Sequence, residues 1–342
     1  MKEIRTQDAV GHILCHDITQ IVKDEKKGVL FKKGHIVREE DIPALLDVGK
    51  EHLFVWEKTE GMLHENEAAQ VLYEICAGEN MHGTEVKEGK IELIADMDGL
   101  LKINRSALVS VNSLGEMMIA SRHGDFAVKK GDKLAGTRII PLVIEEEKML
   151  AARKAAGTEP VFQILPFNHK KVGIITTGSE VQKGRIIDTF TPVLKEKLGA
   201  FPTEVIGQTT PGDDREQITR DILHFIEAGA DLVLASGGMS VDPDDRTPGA
   251  IKDTGARIVS YGAPVLPGAM LLVAYFEHNG RQIPIIGLPG CVMYAKRTVF
   301  DLVLPRVMAD DIVTAEELSA LGEGGLCLNC EVCTFPNCGF GK

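Results

Sequence analysis

Lys171-Val172-Gly173-Ile174-Ile175-Thr176-Thr177-Gly178-Ser179-Glu180 decides the fold. A β-branched apolar run passes directly into a glycine turn flanked by hydroxyls, with no polar alternation inside the run. A strand with one wet face alternates, whereas a continuous apolar strand is buried on both faces. The pattern recurs downstream. Thr203 to Gly207 reads as a strand, and Asp231-Leu232-Val233-Leu234-Ala235 and Ile283-Pro284-Ile285-Ile286-Gly287 read as buried strands. Pro192 to Leu198 and Arg215 to Ala228 have helical spacing between them. Strands alternating with helices predict a mostly parallel sheet covered on both faces, a three-layer αβα domain of the α/β class over residues 168–308.

Ligands bind such sheets beyond the carboxyl ends of the strands. Four loops fall at that edge. Thr177-Gly178-Ser179-Glu180 offers close backbone approach and hydroxyl donors to a phosphate. Gly184-Arg185-Ile186-Ile187-Asp188-Thr189 brings in one carboxylate. Ser236-Gly237-Gly238-Met239-Ser240 is expected to present consecutive backbone N–H groups as an anion nest. It runs on into Asp242-Pro243-Asp244-Asp245-Arg246-Thr247-Pro248, whose carboxylates could share a divalent cation with a phosphate, or whose Asp245 or Thr247 could simply cap a helix. Gly287-Leu288-Pro289-Gly290-Cys291 is expected to open a long helix, Val292 to Val307, with its positive end toward the cleft. Pro267-Gly268 supplies a further turn.

Working outward, 342 residues exceed what one core usually serves. Residues 1–60 read as a small β-rich module with candidate strands at Gly11–Leu14, Gly28–Phe31 and His52–Trp56 and an acidic-started helix near Glu39–Gly49. Residues 61–156 read as a β-rich, mixed domain with a helix within 61–82, many glycine turns, and a connecting helix from Glu145 to Ala156. A formal net charge of −12 and no basic stripe argue against nucleic-acid binding. The start lacks a signal-peptide core, and no run approaches the roughly 18 apolar residues of a membrane span, so a cytoplasmic protein is expected.

Of seven cysteines, Cys327, Cys330, Cys333 and Cys338 crowd into the tail at residues 320–342 with the spacing C-x2-C-x2-C-x4-C. An odd total without a secretion signal disfavours a disulfide framework. Four thiolates this close can bind one zinc or one iron–sulfur cluster, and the spacing leaves the two open. Gly322-Glu323-Gly324-Gly325 reads as a flexible approach to this knuckle.

Taken in order, Thr177-Gly178-Ser179-Glu180, Gly184 to Thr189, Ala235 to Val241, Pro267-Gly268 and Gly287-Leu288-Pro289-Gly290 resemble the molybdenum-cofactor biosynthesis domain shared by molybdopterin molybdotransferases, molybdopterin adenylyltransferases and competence-damage-inducible proteins. The resemblance implies that Thr177, Gly178, Ser179, Glu180, Ser236, Gly237, Gly238, Ser240, Pro267, Gly268, Pro289 and Gly290 cradle molybdopterin or its adenylate. It further implies that Asp188 and Asp245 act as the catalytic acidic pair, holding Mg²⁺ while molybdate or tungstate is inserted or the pterin adenylylated. Homo-oligomers are expected on the same ground. Ser179, Asp242-Pro243 and Cys291 depart from the molybdotransferase pattern. Two other functions therefore stand beside an enzyme of cofactor synthesis: a carrier delivering cofactor to a molybdoenzyme partner, and a nucleotide pyrophosphatase of the competence-damage type.

Overall fold

The computed structural model describes residues 2–22, 26–55 and 60–342. Contacts divide the chain into two compact units. Unit 1 is Met1–Asp96, Ile103–Arg122 and Lys130–Gln163; unit 2 is Met97–Lys102, His123–Lys129 and Ile164–Lys342. The segments read above as separate modules at 1–60 and 61–156 thus fall largely in one unit, and the cysteine tail belongs to the other.

Unit 2 is built on a six-stranded sheet. Its strands are β1 (Lys170–Thr176), β2 (Thr203–Thr209), β3 (Leu232–Ser236), β4 (Arg257–Tyr261), β5 (Leu272–His278) and β6 (Arg281–Leu288), in the order β2-β1-β3-β6-β5-β4. β2, β1, β3 and β6 run parallel, while β5 is antiparallel to both its neighbours. The chain leaves β1 toward β2 on one side and returns to β3 on the other, so the order reverses between β1 and β3. In parallel sheets such a reversal is where ligands bind, at the carboxyl ends of the two strands.

The helices are α1 (Ser179–Gln182), α2 (Phe190–Leu198), α3 (Arg215–Glu227), α4 (Thr247–Asp253), α5 (Val299–Met308) and α6 (Ala315–Ala320). Alternate residues of each central strand serve opposite faces. Val172, Ile174, Leu232, Leu234 and Ile286 pack with Leu194 and Leu198 of α2 and Phe300, Val303 and Val307 of α5. Ile175, Val233, Ala235 and Ile285 pack with Ile218, Ile222, Phe225 and Ile226 of α3 and Ala250 and Ile251 of α4. This two-sided burial accounts for the unbroken apolar runs, and the three-layer αβα expectation holds.

Two features of this unit differ from the sequence reading. The helix expected from Val292 to Val307 is two pieces: a 3-10 turn at Gly290–Met293 and α5, which restarts at Val299. The restart has a local cause. Thr298 accepts from the Phe300 N–H at 3.2 Å, and Asp301 accepts from the Thr298 N–H at 2.8 Å, a capping box that ends one helix possibility and begins another. The β4–β5 hairpin has no counterpart in the sequence reading, because β4 is half-wet at the sheet edge and its apolar pattern is weak.

Unit 1 carries a four-stranded antiparallel sheet in the order Met81–Gly83, Lys90–Ala95, Lys133–Ile139, Met117–Ser121, with helices Glu65–Cys76, Arg105–Asn112 and Glu146–Ala156. Strand Lys2–Arg5 pairs with His52–Val55, and Ile18–Val22 pairs with Lys26–Phe31. The expected strand at Gly11–Leu14 is reduced to isolated bridges at Ile13 and Leu14. The expected strand to Trp56 is described as far as Val55, with Trp56 outside the described residues. Cys15 and Cys76 are buried, and burial pushes the Cys76 thiol up to about 12, which leaves it an inert apolar group.

His64 caps the helix Glu65–Cys76 and is itself 2% exposed. Its Nε2 lies 3.0 Å from the Cys15 carbonyl, while Nδ1 accepts from the Lys33 ammonium at 2.9 Å and the Asn66 N–H at 3.2 Å. Those partners fit only the neutral ring, which donates from Nε2. Burial first, then the Lys33 charge, lowers the His64 pKa, and Glu67 opposes them. The folded pKa therefore lies below the unfolded value of about 6.5. Above that value both states are neutral; below it the unfolded chain takes up the proton first, and stability falls as pH drops through the folded pKa. The denaturation midpoint of the protein is expected to drop as pH falls below about 6.5, and His64→Gln should flatten that slope. An equal slope in the variant refutes the assignment.

Among the described residues no helix is long and apolar enough to cross a membrane.

Candidate functional site

The loops at the carboxyl ends of β1 and β3 are joined by a network of buried hydroxyls. The Thr177 N–H and hydroxyl both donate to the Ser236 carbonyl, at 2.8 and 3.2 Å. Thr177 Oγ1 lies 3.3 Å from Thr247 Oγ1, and the Thr247 hydroxyl donates to the Gly237 carbonyl at 2.8 Å. The Thr247 N–H reaches the Gly238 carbonyl at 3.2 Å. Thr177, Ser236 and Thr247 are almost wholly buried. Their side chains hold the loops together and are spent on that task.

What these hydroxyls hold is the backbone of Gly237 and Gly238, half-exposed and at φ +87° and +56°. A Cβ on Gly237 would stand 2.7 Å from the Thr177 carbonyl oxygen, and one on Gly238 would stand 3.0 Å from Thr247 Oγ1. Glycine is required there by both conformation and space. Two successive left-handed residues turn the chain sharply and leave the backbone of this loop bare of side chains. Ser240, further along the loop, is exposed, and its carbonyl and that of Met239 accept from the Tyr261 hydroxyl at 3.2 and 2.8 Å. The burial of Tyr261, then the charge of Asp245, raises its pKa, so it remains a neutral donor at physiological pH.

The first loop enters α1 through Gly178, buried at φ +127°, where a Cβ would meet the Glu180 carboxylate at 3.0 Å. The Ser179 N–H donates to Asp213 Oδ2 at 2.9 Å, so this backbone donor is met by the chain's own carboxylate. Asp213 lies in Pro211-Gly212-Asp213-Asp214 after β2, a loop that the sequence reading passed over. Its signal was a proline-glycine turn directly after a strand, followed by Asp214, which caps α3 by accepting from the Gln217 N–H at 3.1 Å. Tyr261 and the clamping role of Thr247 were equally unread, because their partners lie many residues away.

Asp188 is committed to four donors: the Phe190 and Thr191 N–H groups at 2.9 and 3.1 Å, the Thr191 hydroxyl at 2.6 Å and Gln208 Nε2 at 2.8 Å. It fixes the start of α2 with both oxygens engaged. Asp245 accepts from the Asp242 N–H at 2.9 Å and closes the turn after the glycine loop. Among the described residues no three histidine, cysteine, aspartate or glutamate side chains converge as an ion site. The carboxylates present do not fit a resident magnesium ion.

Pro289 is buried and precedes the 3-10 turn at exposed Gly290. Gly287, just before it, has the Met239 methyl 2.6 Å from where a Cβ would be, so the third and fourth loops lie side by side. The turn containing Pro267 and Gly268 joins β4 to β5 at the same sheet edge, but its contacts go to α5: the Val299 N–H donates to the Pro267 carbonyl at 3.1 Å, and Gly268 packs on Val299. Arg185 and Arg246 are exposed beside these loops. Ile187 (85%), Val241 (84%) and Tyr294 (77%) are exposed apolar groups on the loops of this edge.

The four tail cysteines are unpaired by disulfides and line one cavity of about 190 Å³ with Lys296, Arg297, Leu326, Phe335 and Phe340. Hydrogen bonds from the Phe335 N–H and from Arg297 hold the Cys333 thiol below the usual range. The glycines leading to it are not a flexible approach. A Cβ on Gly324 would fall 2.0 Å from the Lys342 carbonyl, and one on Gly325 would fall 2.4 Å from the Leu321 carbonyl, so both are demanded by close packing.

A family described as "Probable molybdopterin binding domain" matches residues 173–309, and a domain of unknown function matches residues 3–57. A molybdopterin molybdenumtransferase of Synechococcus elongatus is 29% identical over 203 residues, 54% of this chain and 47% of that protein. A CinA-like protein of Anaeromyxobacter is 39% identical over 77 residues, 22% of this chain and 19% of its own length. The molybdopterin biosynthesis enzyme MoaB of Thermus thermophilus, at 25% identity, covers 40% of this chain and 91% of its own with a TM-score of 0.33. The chain spans about half the length of the curated molybdenumtransferases it matches.

Proposed function

Starting from residues 173–309 as a domain of the molybdopterin-binding family of molybdenum-cofactor biosynthesis, we propose that the loops at the carboxyl ends of β1 and β3 bind molybdopterin or its adenylate, with the phosphate on the Gly237–Gly238 backbone. The observation that carries this reading is the pair of left-handed glycines clamped by Thr177 and Thr247 at the point where strand order reverses. Backbone donors fixed before the ligand arrives cost no reorganisation when negative charge is bound. Arg185 and Arg246 would add positive charge at the mouth, and the exposed Ile187, Val241 and Tyr294 would cover a flat heterocycle.

The chain's part in such chemistry is positional. It would hold the pterin phosphate, orient the ring and exclude water while metal insertion or adenylylation proceeds on the bound pterin. Alongside it, the tail cysteines would hold a metal group of their own.

Titration with molybdopterin or its adenylate, followed by pterin fluorescence, is expected to saturate near one ligand per chain. Asp245→Ala, which opens the turn behind the glycine loop, should weaken binding about tenfold, equivalent to about 1.4 kcal/mol. Wild-type binding no tighter than the variant's removes the site.

A further inference from the structure

The spacing of the tail cysteines leaves zinc and iron–sulfur chemistry equal, and the size of the space they line favours the larger group. Zinc bound by four thiolates holds each sulfur at about 2.3 Å, which draws the sulfurs to within about 4 Å of one another. Among the described residues no three such groups are gathered as a single-ion site. The four cysteines nevertheless face one cavity of about 190 Å³. By the same measure a single water needs about 10–15 Å³, so the space suits a group of several atoms. In a four-iron cluster each thiolate binds its own iron, and the sulfurs stand apart around a shared core.

The surroundings match the charge of such a group. Four thiolates bring four negative charges, which the cluster's irons only partly offset. Lys296 and Arg297 lie on the cavity wall. Arg297 lies on the same cavity wall as Cys333, 4.8 Å from the Phe335 ring centre, and is held in place by Asp301 at 2.9 Å. The Lys296 ammonium donates to the Glu331 carbonyl at 2.8 Å. Leu326, Phe335 and Phe340 form the apolar remainder, and Phe340 is buried in the core of the unit.

The loop is also built to keep its shape. Leu326 pairs with Leu266 in a parallel bridge, closed by the Leu266 N–H on the Gly325 carbonyl and the Cys327 N–H on the Leu266 carbonyl, both at 2.8 Å. At the other end the Gly341 N–H donates to the Gly324 carbonyl at 2.9 Å. A loop pinned at both ends, with its thiols turned to a common space, is a preformed cradle rather than a loose tail.

We propose that Cys327, Cys330, Cys333 and Cys338 hold one four-iron, four-sulfide cluster in the cavity they share, with Lys296 and Arg297 on its wall. This site is independent of the pterin reading, and either can fail alone.

The full chain, purified without oxygen and reconstituted with ferrous iron and sulfide, is expected to contain about four iron and about four sulfide per chain. It should show a broad visible absorption that bleaches on reduction. Cys330 and Cys333 are exposed, so Cys330→Ala and Cys333→Ala should leave the melting temperature of the metal-free protein unchanged while each lowers bound iron at least twofold. One zinc per chain without sulfide, no metal uptake after reconstitution, or full iron content in both variants would overturn the proposal.

Discussion

Phe225→Ala is expected to destabilise the protein by about 3–5 kcal/mol, the range for emptying an aromatic site in a packed core. The ring, 5% exposed, is seated on two glycines of neighbouring strands. A Cβ on Gly173 of β1 would lie 2.4 Å from the Phe225 ring, and one on Gly207 of β2 would lie 2.6 Å from it. With no side chains there to slide into the vacated space, collapse around an alanine is limited, and the cavity contribution is near its maximum. Urea unfolding followed by circular dichroism should show the midpoint falling with the slope preserved. The melting temperature should drop by roughly 10 °C for a unit of this size. A loss below about 1 kcal/mol would mean that the sheet closes over the gap and that the glycine seat is not rigid.

Gly237→Val is expected to abolish pterin binding, weakening it by at least about 100-fold, or about 2.7 kcal/mol. Two effects combine at this position. A β-branched side chain at φ +87° is strained by about 1–2 kcal/mol, and its Cβ would be driven against the Thr177 carbonyl, which is itself fixed in the buried hydroxyl network. Gly229→Ala separates the two. Gly229 has φ +88° with nothing within 4 Å of its virtual Cβ, and it precedes β3 at the opposite edge of the sheet. That variant should cost about 1 kcal/mol of stability and leave binding intact. If both variants reduce binding alike, the effect is global destabilisation and the glycine pair is not the binding element.

The central strands were legible because burial on both faces removes polar alternation, as at Val172–Ile175 and Leu232–Ala235. The glycine loops were legible because positive φ leaves a direct mark in sequence. What escaped was set by distant partners. Thr177, Ser236 and Thr247 read as ligand-facing or as a simple cap, yet they meet one another across 59 to 70 residues. The roles read for Asp188 and for the long helix after Gly290 depended on local competition that composition does not settle: four donors close on Asp188, and the Thr298–Asp301 capping box restarts the chain. Gly324 and Gly325 looked like freedom and are packing, because a glycine required by φ, by space or by neither is the same letter.

One short segment, Gly290 to Arg297, runs from the turn beside the glycine loops at one end to the cavity wall beside the cysteines at the other. If the two sites are filled as proposed, they share this wall, and thermodynamic linkage makes its influence mutual. Whatever factor the cluster contributes to pterin affinity, the pterin must return in the retention of iron. The rate at which a chelator strips iron with and without pterin would then gauge the coupling between the two sites.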